Sequence, residues 1–582
     1  MEGTMSEPNR FDRRFFVGEN RITRIGDGAL GGKAQGLAFF SEKLASRFSS
    51  GRFPALEISV PRTAVIATDF FDRFMEMNGL YDVACSDVPD DRMAHAFQQA
   101  QLPPALLGDL RALSEEAQQP LAVRSSSLLE DTMEQPFAGV YATKMLPNQA
   151  PSPDERFRRL VEAVKLIYAS TFFKAAKTYV HSVERDITLE KMAVVIQEVV
   201  GARHGDRFYP HISGVARSFN YYPCGHGRPE DGVVSLALGL GKTIVDGGLS
   251  WSYCPAFPKS PPPFNNVRDL LYHTQTRFFA VNMGQVHHYD PLREEEYLIE
   301  GRLEEAEYDD TLRHLCSTVE PGTDRVVPGV GRQGARLLDF APILHWNDIP
   351  LNDAVQALLV ECTGLAGAPV ELEFAVTLEE GGAPSRLGFL QVRPMVVSSE
   401  VVDLSDEQMN AGAVVVSSTK VLGNGVREDI RDIVYVRPEA FDPGATSRIA
   451  LEVEQINAAL SGKNRPYLLI GFGRWGTTDH WRGIPVIWSQ ISGARAIVEV
   501  ERSGMETDLS QGSHFFHNLT SFQVYYYSIR NTDEAKVNWN WLQSLPEVTG
   551  TQFVRHVEAP SPLGIRVDGR TGRGLVCFHE ER

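Results

Sequence analysis

Side chains suited to phosphate chemistry sit in four short stretches of the 582-residue chain. Glu371 and Glu373 stand two apart in VELEFAV, and Gln391 and Arg393 stand two apart in FLQVRPM. Residues two apart in a strand share a face, so each pair points one way. Carboxylates and an amide oxygen are hard donors suited to Mg²⁺, which keeps water and phosphate in its remaining positions. The stretch Leu121–Thr143, LAVRSSSLLEDTMEQPFAGVYAT, delivers Arg124 and three serines from a strand-like start. A guanidinium fork matches phosphate oxygens, and the serines and the backbone around Gly139 could bond others. Gly31-Gly32-Lys33 opens an apolar run at helical spacing, where free N–H groups and a lysine would meet an anion. Each stretch alone also has an ordinary reading: a plain turn, a polar loop in which Arg124 pairs with Glu130 or Asp131, or the wet face of a sheet.

These side chains need strands and helices to hold them. Leu30–Leu44 reads as a loop feeding a helix, and Asp154–Ala175 as an amphipathic helix. Ala193–Val200 (AVVIQEVV), Val370–Val376 and Arg386–Pro394 read as strands. Such a mixture predicts an α+β or α/β chain. Crowded prolines in Cys254–Asn265 forbid helix and central strand, which predicts an extended surface loop. An apolar strand gives way to an acidic polar stretch between Gln391 and Val414. The boundary placed there predicts domains of residues 1–398 and 413–582.

With 57 Lys and Arg against 75 Asp and Glu, the net charge is −18. Such a chain repels nucleic-acid backbones, although a few cations in a cleft can still hold a small anion. The six cysteines form no CxxC pair, which argues against structural zinc and a disulfide framework. No uncharged apolar run reaches the ~18 residues of a membrane span, and the polar opening MEGTMSEPNRFDRRFF lacks the apolar core of a signal peptide. A cytosolic protein with neither membrane nor nucleic-acid partner is expected.

In order along the chain, GGKAQGLAFF, VPRTAVIATDFFDRFM, LAVRSSSLLEDTMEQPFAGVYAT, VVIQEVV, SGVARSFN, LGLGKTIVDGG, VELEFAV and FLQVRPM resemble the ATP-binding half of phosphoenolpyruvate synthases and pyruvate phosphate dikinases. The resemblance runs from about Arg21 to Met395. It implies an ATP-grasp nucleotide-binding domain with ATP and Mg²⁺ as cofactors. By position, Lys33 and Arg124 would hold the ATP phosphates, and Glu373 and Gln391 the Mg²⁺, with Glu371 nearby toward the ribose. Arg393 would contact the transferring phosphoryl group, Gln197 would border the adenine, and the loop at Gly139 would cover the triphosphate. Where the family usually reads Gly-Leu-Gly-Glu, this chain has Gly239-Leu240-Gly241-Lys242, which leaves open what that turn contacts.

Residues 396–582 are fewer than the ~250 of a TIM barrel, so the family's acceptor barrel is not expected in this chain. Lys420–Phe441 and Gly493–Phe522 faintly resemble the family's phosphohistidine domain, which implies a smaller α/β swivelling-type domain. His514 takes the carrier position, and His517 lies one turn further if the stretch is helical. A helix N-terminus stabilises the anion that phosphorylation creates there. The alternative is that both histidines simply pack among Phe515 and Phe516. The stretch Gly471–Gln490 falls outside the resemblance. It reads either as an acceptor-binding loop, with Asp479 and His480 serving an acceptor hydroxyl, or as a turn with core tryptophans. His287-His288 and Glu294–Glu296 read as solvated surface. Three functions follow: a dikinase-type phosphotransferase using His514, Arg124 and Arg393 to reach a small-molecule or protein acceptor; an ATP-grasp kinase or ligase acting directly on a small molecule; and a non-catalytic ATP-sensing module. A homodimer stays open.

Overall fold

The computed structural model describes all residues except 1–6, 17, 19, 49–50, 129, 131–138, 183–184, 224–225, 261–265, 286–288, 380, 398–401, 478–480, 503–512, 531–535, 570 and 579–582. The chain divides into two compact units. The first takes Met1–Phe219, Cys224–Ile244 and Leu249–Pro394; the second takes Asn220–Pro223, Val245–Gly248 and Met395–Arg582. Among the described residues no helix is long and apolar enough to cross a membrane.

In the first unit the elements that position the candidate side chains are α1 (Gly31–Arg47), β1 (Leu121–Ser127), β2 (Thr143–Leu146), β3 (Met192–Glu198), β4 (Ile212–Arg217), α2 (Leu351–Ala366), β5 (Val370–Thr377) and β6 (Ser385–Pro394). A six-stranded sheet runs Asn9–Arg10, Ile22–Ile25, Thr63–Ile66, β3, β1, β2, so β1 lies between β3 and the edge strand β2. A second runs Trp251–Tyr253, Val233–Ala237, β4, β5, β6, Leu56–Ser59, with β4, β5 and β6 antiparallel. A four-stranded antiparallel sheet is built from Ala202–His204, Arg207–Tyr209, Arg277–Asn282 and Leu298–Arg302.

Strict alternation explains β5. Val370, Leu372, Phe374 and Val376 enter the main core, which leaves Glu371 and Glu373 together on the opposite face. Leu37, Phe40 and Leu44 of α1 and Leu351, Val355 and Leu358 of α2 fill the same core at helical spacing. Phe40 meets Phe389 of β6 at 6.5 Å between ring centroids, which seats α1 on the second sheet. The helix expected over Asp154–Ala175 is shorter, Pro153–Ser170, and a separate helix follows at Lys174–Ser182. The break lets buried Phe172 stack on Phe71. The described part of Cys254–Asn265, residues 254–260, holds neither helix nor strand.

The second unit is a mixed sheet of ten strands. Its central strands are β7 (Asn424–Val436), β8 (Tyr467–Phe472), β9 (Ala494–Val500) and β10 (Tyr525–Ile529), parallel neighbours in that order. Helix α3 (Thr446–Ser461) connects β7 to β8, and α4 (His514–Ser521) lies between β9 and β10. The long strand β11 (Val554–Asp568) pairs antiparallel with β7 through two register shifts, which curl the sheet. Val402 and Leu404 pack on Leu575, and Arg573 donates to the Leu404 carbonyl at 3.2 Å and pairs with Asp406. This part of the acidic stretch therefore lies against the second unit's own sheet.

Candidate phosphate and metal site

Register brings the polar residues of the second sheet together. Glu371 lies opposite Arg393, and Glu373 opposite Gln391, on neighbouring strands β5 and β6. Arg124 reaches them from β1 of the first sheet. Its Nη2 donates to Gln391 Oε1 at 2.7 Å and to Glu373 Oε2 at 3.3 Å. Arg124 and Glu373 keep 17% and 14% of their side-chain surfaces, so this junction is partly open to water.

Lys33 arrives beside it. Its Nζ donates to the Ser125 carbonyl at 3.2 Å and to Glu130 Oε1 at 3.0 Å. Glu130 is buried and also accepts from Ser125 Oγ and the Ser127 amide. The carboxylate offered to Arg124 by sequence proximity thus belongs to Lys33, because Arg124 points across to the other sheet. Asp131 lies outside the described residues. Gly31 has φ of +74°, and a Cβ on it would lie 1.8 Å from the Ser126 carbonyl oxygen, so only glycine lets α1 start against β1. Ser126 Oγ accepts from the Ala34 amide at 3.0 Å and donates to the Leu30 carbonyl at 2.9 Å, filling the helix's first turn. Gly31, read from sequence as an approach for an anion, serves this docking.

Glu371 is held differently. Its Oε1 accepts from Arg393 Nε at 2.7 Å and from Arg393 Nη2, while its Oε2 accepts from Nε of Arg217 and pairs with Arg217 Nη2. All three side chains are buried. Burial alone would raise the Glu371 pKa, but the two guanidiniums outweigh it and hold the carboxyl below its ordinary value. Arg393 is therefore engaged by Glu371, and Glu371 sits between two arginines. Arg217 escaped the sequence reading although SGVARSFN contains it. Its signal is register, because it lies opposite Glu371 on β4.

Buried Gln197, on β3, donates from Nε2 to Thr63 Oγ1 at 3.1 Å. Gly139 is exposed with φ of +66°, ahead of β2, and residues 131–138 of its loop lie outside the described residues. Lys242 pairs with Glu295 at 2.9 Å. The acidic run is solvated only in part: Glu294 and Glu295 are exposed, whereas the Glu296 side chain is buried against Lys144 at 2.7 Å, because a lysine buried on the edge strand β2 requires a counter-charge. His287 and His288 lie outside the described residues.

In the second unit Ser513 caps α4, its Oγ accepting from the Phe516 amide at 3.2 Å. His514 is the first residue of α4 and is half-buried, whereas His517 is buried. In the stretch Gly471–Gln490, Trp475 and Trp488 are core residues and Trp481 is exposed; Asp479 and His480 lie outside the described residues.

Among the described residues no group of three or more His, Cys, Asp or Glu could hold a metal. Glu373 and Gln391 nevertheless present two oxygens that converge on a cation, Arg124. Two protein oxygens suit Mg²⁺, whose remaining positions go to water and phosphate. Two sheets joined through Arg124, Glu373 and Gln391, with Lys33 bonded to the neighbouring Ser125 and Glu130, make this a candidate site for a metal-bound phosphate ligand.

Comparison with known proteins makes the class specific. Residues 28–411 match the family model described as pyruvate phosphate dikinase, AMP/ATP-binding domain, and the chain belongs to that family. It is also similar to a phosphoenolpyruvate synthase of Aeropyrum pernix, 27% identical over 263 residues. That match takes in 41% of this chain and 28% of the relative's length.

Proposed function

We propose that the chain is an ATP- and Mg²⁺-dependent phosphotransferase of the dikinase type. Family membership supports ATP binding, and the single observation that carries the reading furthest is the meeting of Arg124 with Glu373 and Gln391 across two sheets. Glu373 and Gln391 would hold Mg²⁺, which supplies charge neutralisation at the phosphate oxygens. Arg124 then exchanges those side-chain oxygens for phosphate and works with Lys33. Arg393 turns from Glu371 toward the transferring phosphoryl group, while Arg217 keeps Glu371 paired. Gln197 borders the adenine, and the loop at Gly139 covers the triphosphate. A ring nitrogen of His514 attacks phosphorus, and an N–P bond forms as the P–O bond to the nucleotide breaks, its electron pair leaving with that oxygen. An acceptor oxygen, on a small molecule or a protein, then takes the phosphoryl group, gives up its proton and frees His514.

Direct transfer without the relay is favoured by one observation: the family match ends at residue 411 and does not reach His514. One labelling experiment separates the readings. With Mg²⁺ and ATP labelled at the β or γ phosphate, the relay predicts an acid-labile, base-stable label that His514→Ala abolishes. Turnover to ADP unaffected by that substitution assigns direct transfer, and nucleotide binding without turnover leaves a non-catalytic ATP-sensing module.

A further inference from the structure

We propose that Glu294, Glu295 and Glu296 form a clasp that ties the Gly239-Leu240-Gly241-Lys242 turn to β2, the strand paired beside Arg124, with Lys242 and Glu295 as a positioning pair for nucleotide binding. The functional half of this claim rests on Arg124 being a phosphate ligand. Three successive carboxylates in a turn diverge to three partners. Glu294 Oε1 accepts from the Thr143 amide at 3.0 Å, and Thr143 lies directly opposite Arg124 in the β1–β2 register. An edge strand has backbone donors to satisfy, and here a carboxylate takes one of them. Glu296 pairs with Lys144, the next residue of β2, whose Nζ also donates to the Pro291 and Arg293 carbonyls at 3.2 and 2.6 Å. Glu295 pairs with Lys242 at 2.9 Å, and the same ammonium lies 5.7 Å from the centre of the Phe279 ring.

Leu240 of the turn is buried with Phe208, Val281 and Met283, and Met145 of β2 packs on the same cluster. The clasp and this small apolar cluster therefore both link the turn to β2. The unusual lysine of the turn is accounted for: its charge is engaged by Glu295. A shift of the turn would be felt through Met145 and Thr143 one strand away from Arg124.

The test uses the full chain with Lys242→Glu, Glu295→Lys and the double exchange. Each single exchange is expected to weaken MgATP binding about fivefold, as loss of a partly exposed pair allows. It is also expected to speed amide hydrogen exchange in residues 143–146 and 239–245, while the thermal midpoint moves by about 2 °C or less. The double exchange is expected to restore affinity to within about twofold and to restore slow amide exchange. Single variants with unchanged affinity and protection, or a double variant no better than its parents, would overturn the clasp. So would an affinity loss that simply tracks a large fall in midpoint. If the wild-type chain bound no MgATP, the nucleotide reading and the positioning role would fail together; the amide-exchange pattern would then decide the structural clasp alone.

Discussion

Glu371 and Glu499 are both buried carboxylates, yet their neighbours drive them in opposite directions. Two guanidiniums hold Glu371 ionised. Glu499 accepts from the Trp475 amide and the Tyr526 hydroxyl, but burial outweighs these donors and pushes its pKa up to about 7. The unfolded carboxyl releases its proton near ~4.3. Between that value and 7 the native state keeps a proton that the unfolded chain has lost, so this group's contribution to stability falls as pH rises across the window and is level above it. Glu499→Gln is therefore expected to remove that contribution, raising the midpoint at pH 8 relative to pH 5 compared with wild type. An unchanged difference between the two pH values would assign the titration to another group.

At the scale of elements, the strands carrying the site were readable because their alternation is local. VELEFAV places four apolar residues on one face and two glutamates on the other, and the observed strand Val370–Thr377 follows that pattern. The partners of Arg124 were not readable from periodicity, since Glu373 and Gln391 lie 249 and 267 residues away and meet it only through the arrangement of two sheets. Arg217 was hidden for the same reason, and Glu296 because its need for burial comes from Lys144 on another strand. Gly31 shows how a correct element can carry a different duty: the helix starts where expected, but the glycine admits the Ser126 carbonyl. Gly31→Ala combines an impossible contact with a left-handed backbone. It is expected to destabilise the first unit by about 3 kcal/mol or more, measured by urea unfolding. A loss below about 1 kcal/mol would mean that α1 can start without this approach.

At the scale of the molecule, the family resemblance reaches through the first unit, where motif order carried more information than any single motif. The second unit was less legible because β7 and β11 run 13 and 15 residues with register shifts, which interrupt a simple two-residue pattern. Its make-up also escaped the sequence reading, since Arg474 donates to the Gly247 carbonyl at 3.0 Å and Tyr221 to the Val396 carbonyl at 3.0 Å. Segments far upstream are thereby bound into the C-terminal sheet's unit. Crystals of the chain with Mn²⁺ and a non-hydrolysable ATP analogue address the junction of Arg124, Glu373 and Gln391 directly. The predicted result is an anomalous peak within ~2.3 Å of oxygens from both Glu373 and Gln391, completed by phosphate oxygens, with Arg124 and Lys33 on the triphosphate. A metal and triphosphate bound elsewhere, with Arg124 still closed on Glu373 and Gln391, would contradict it.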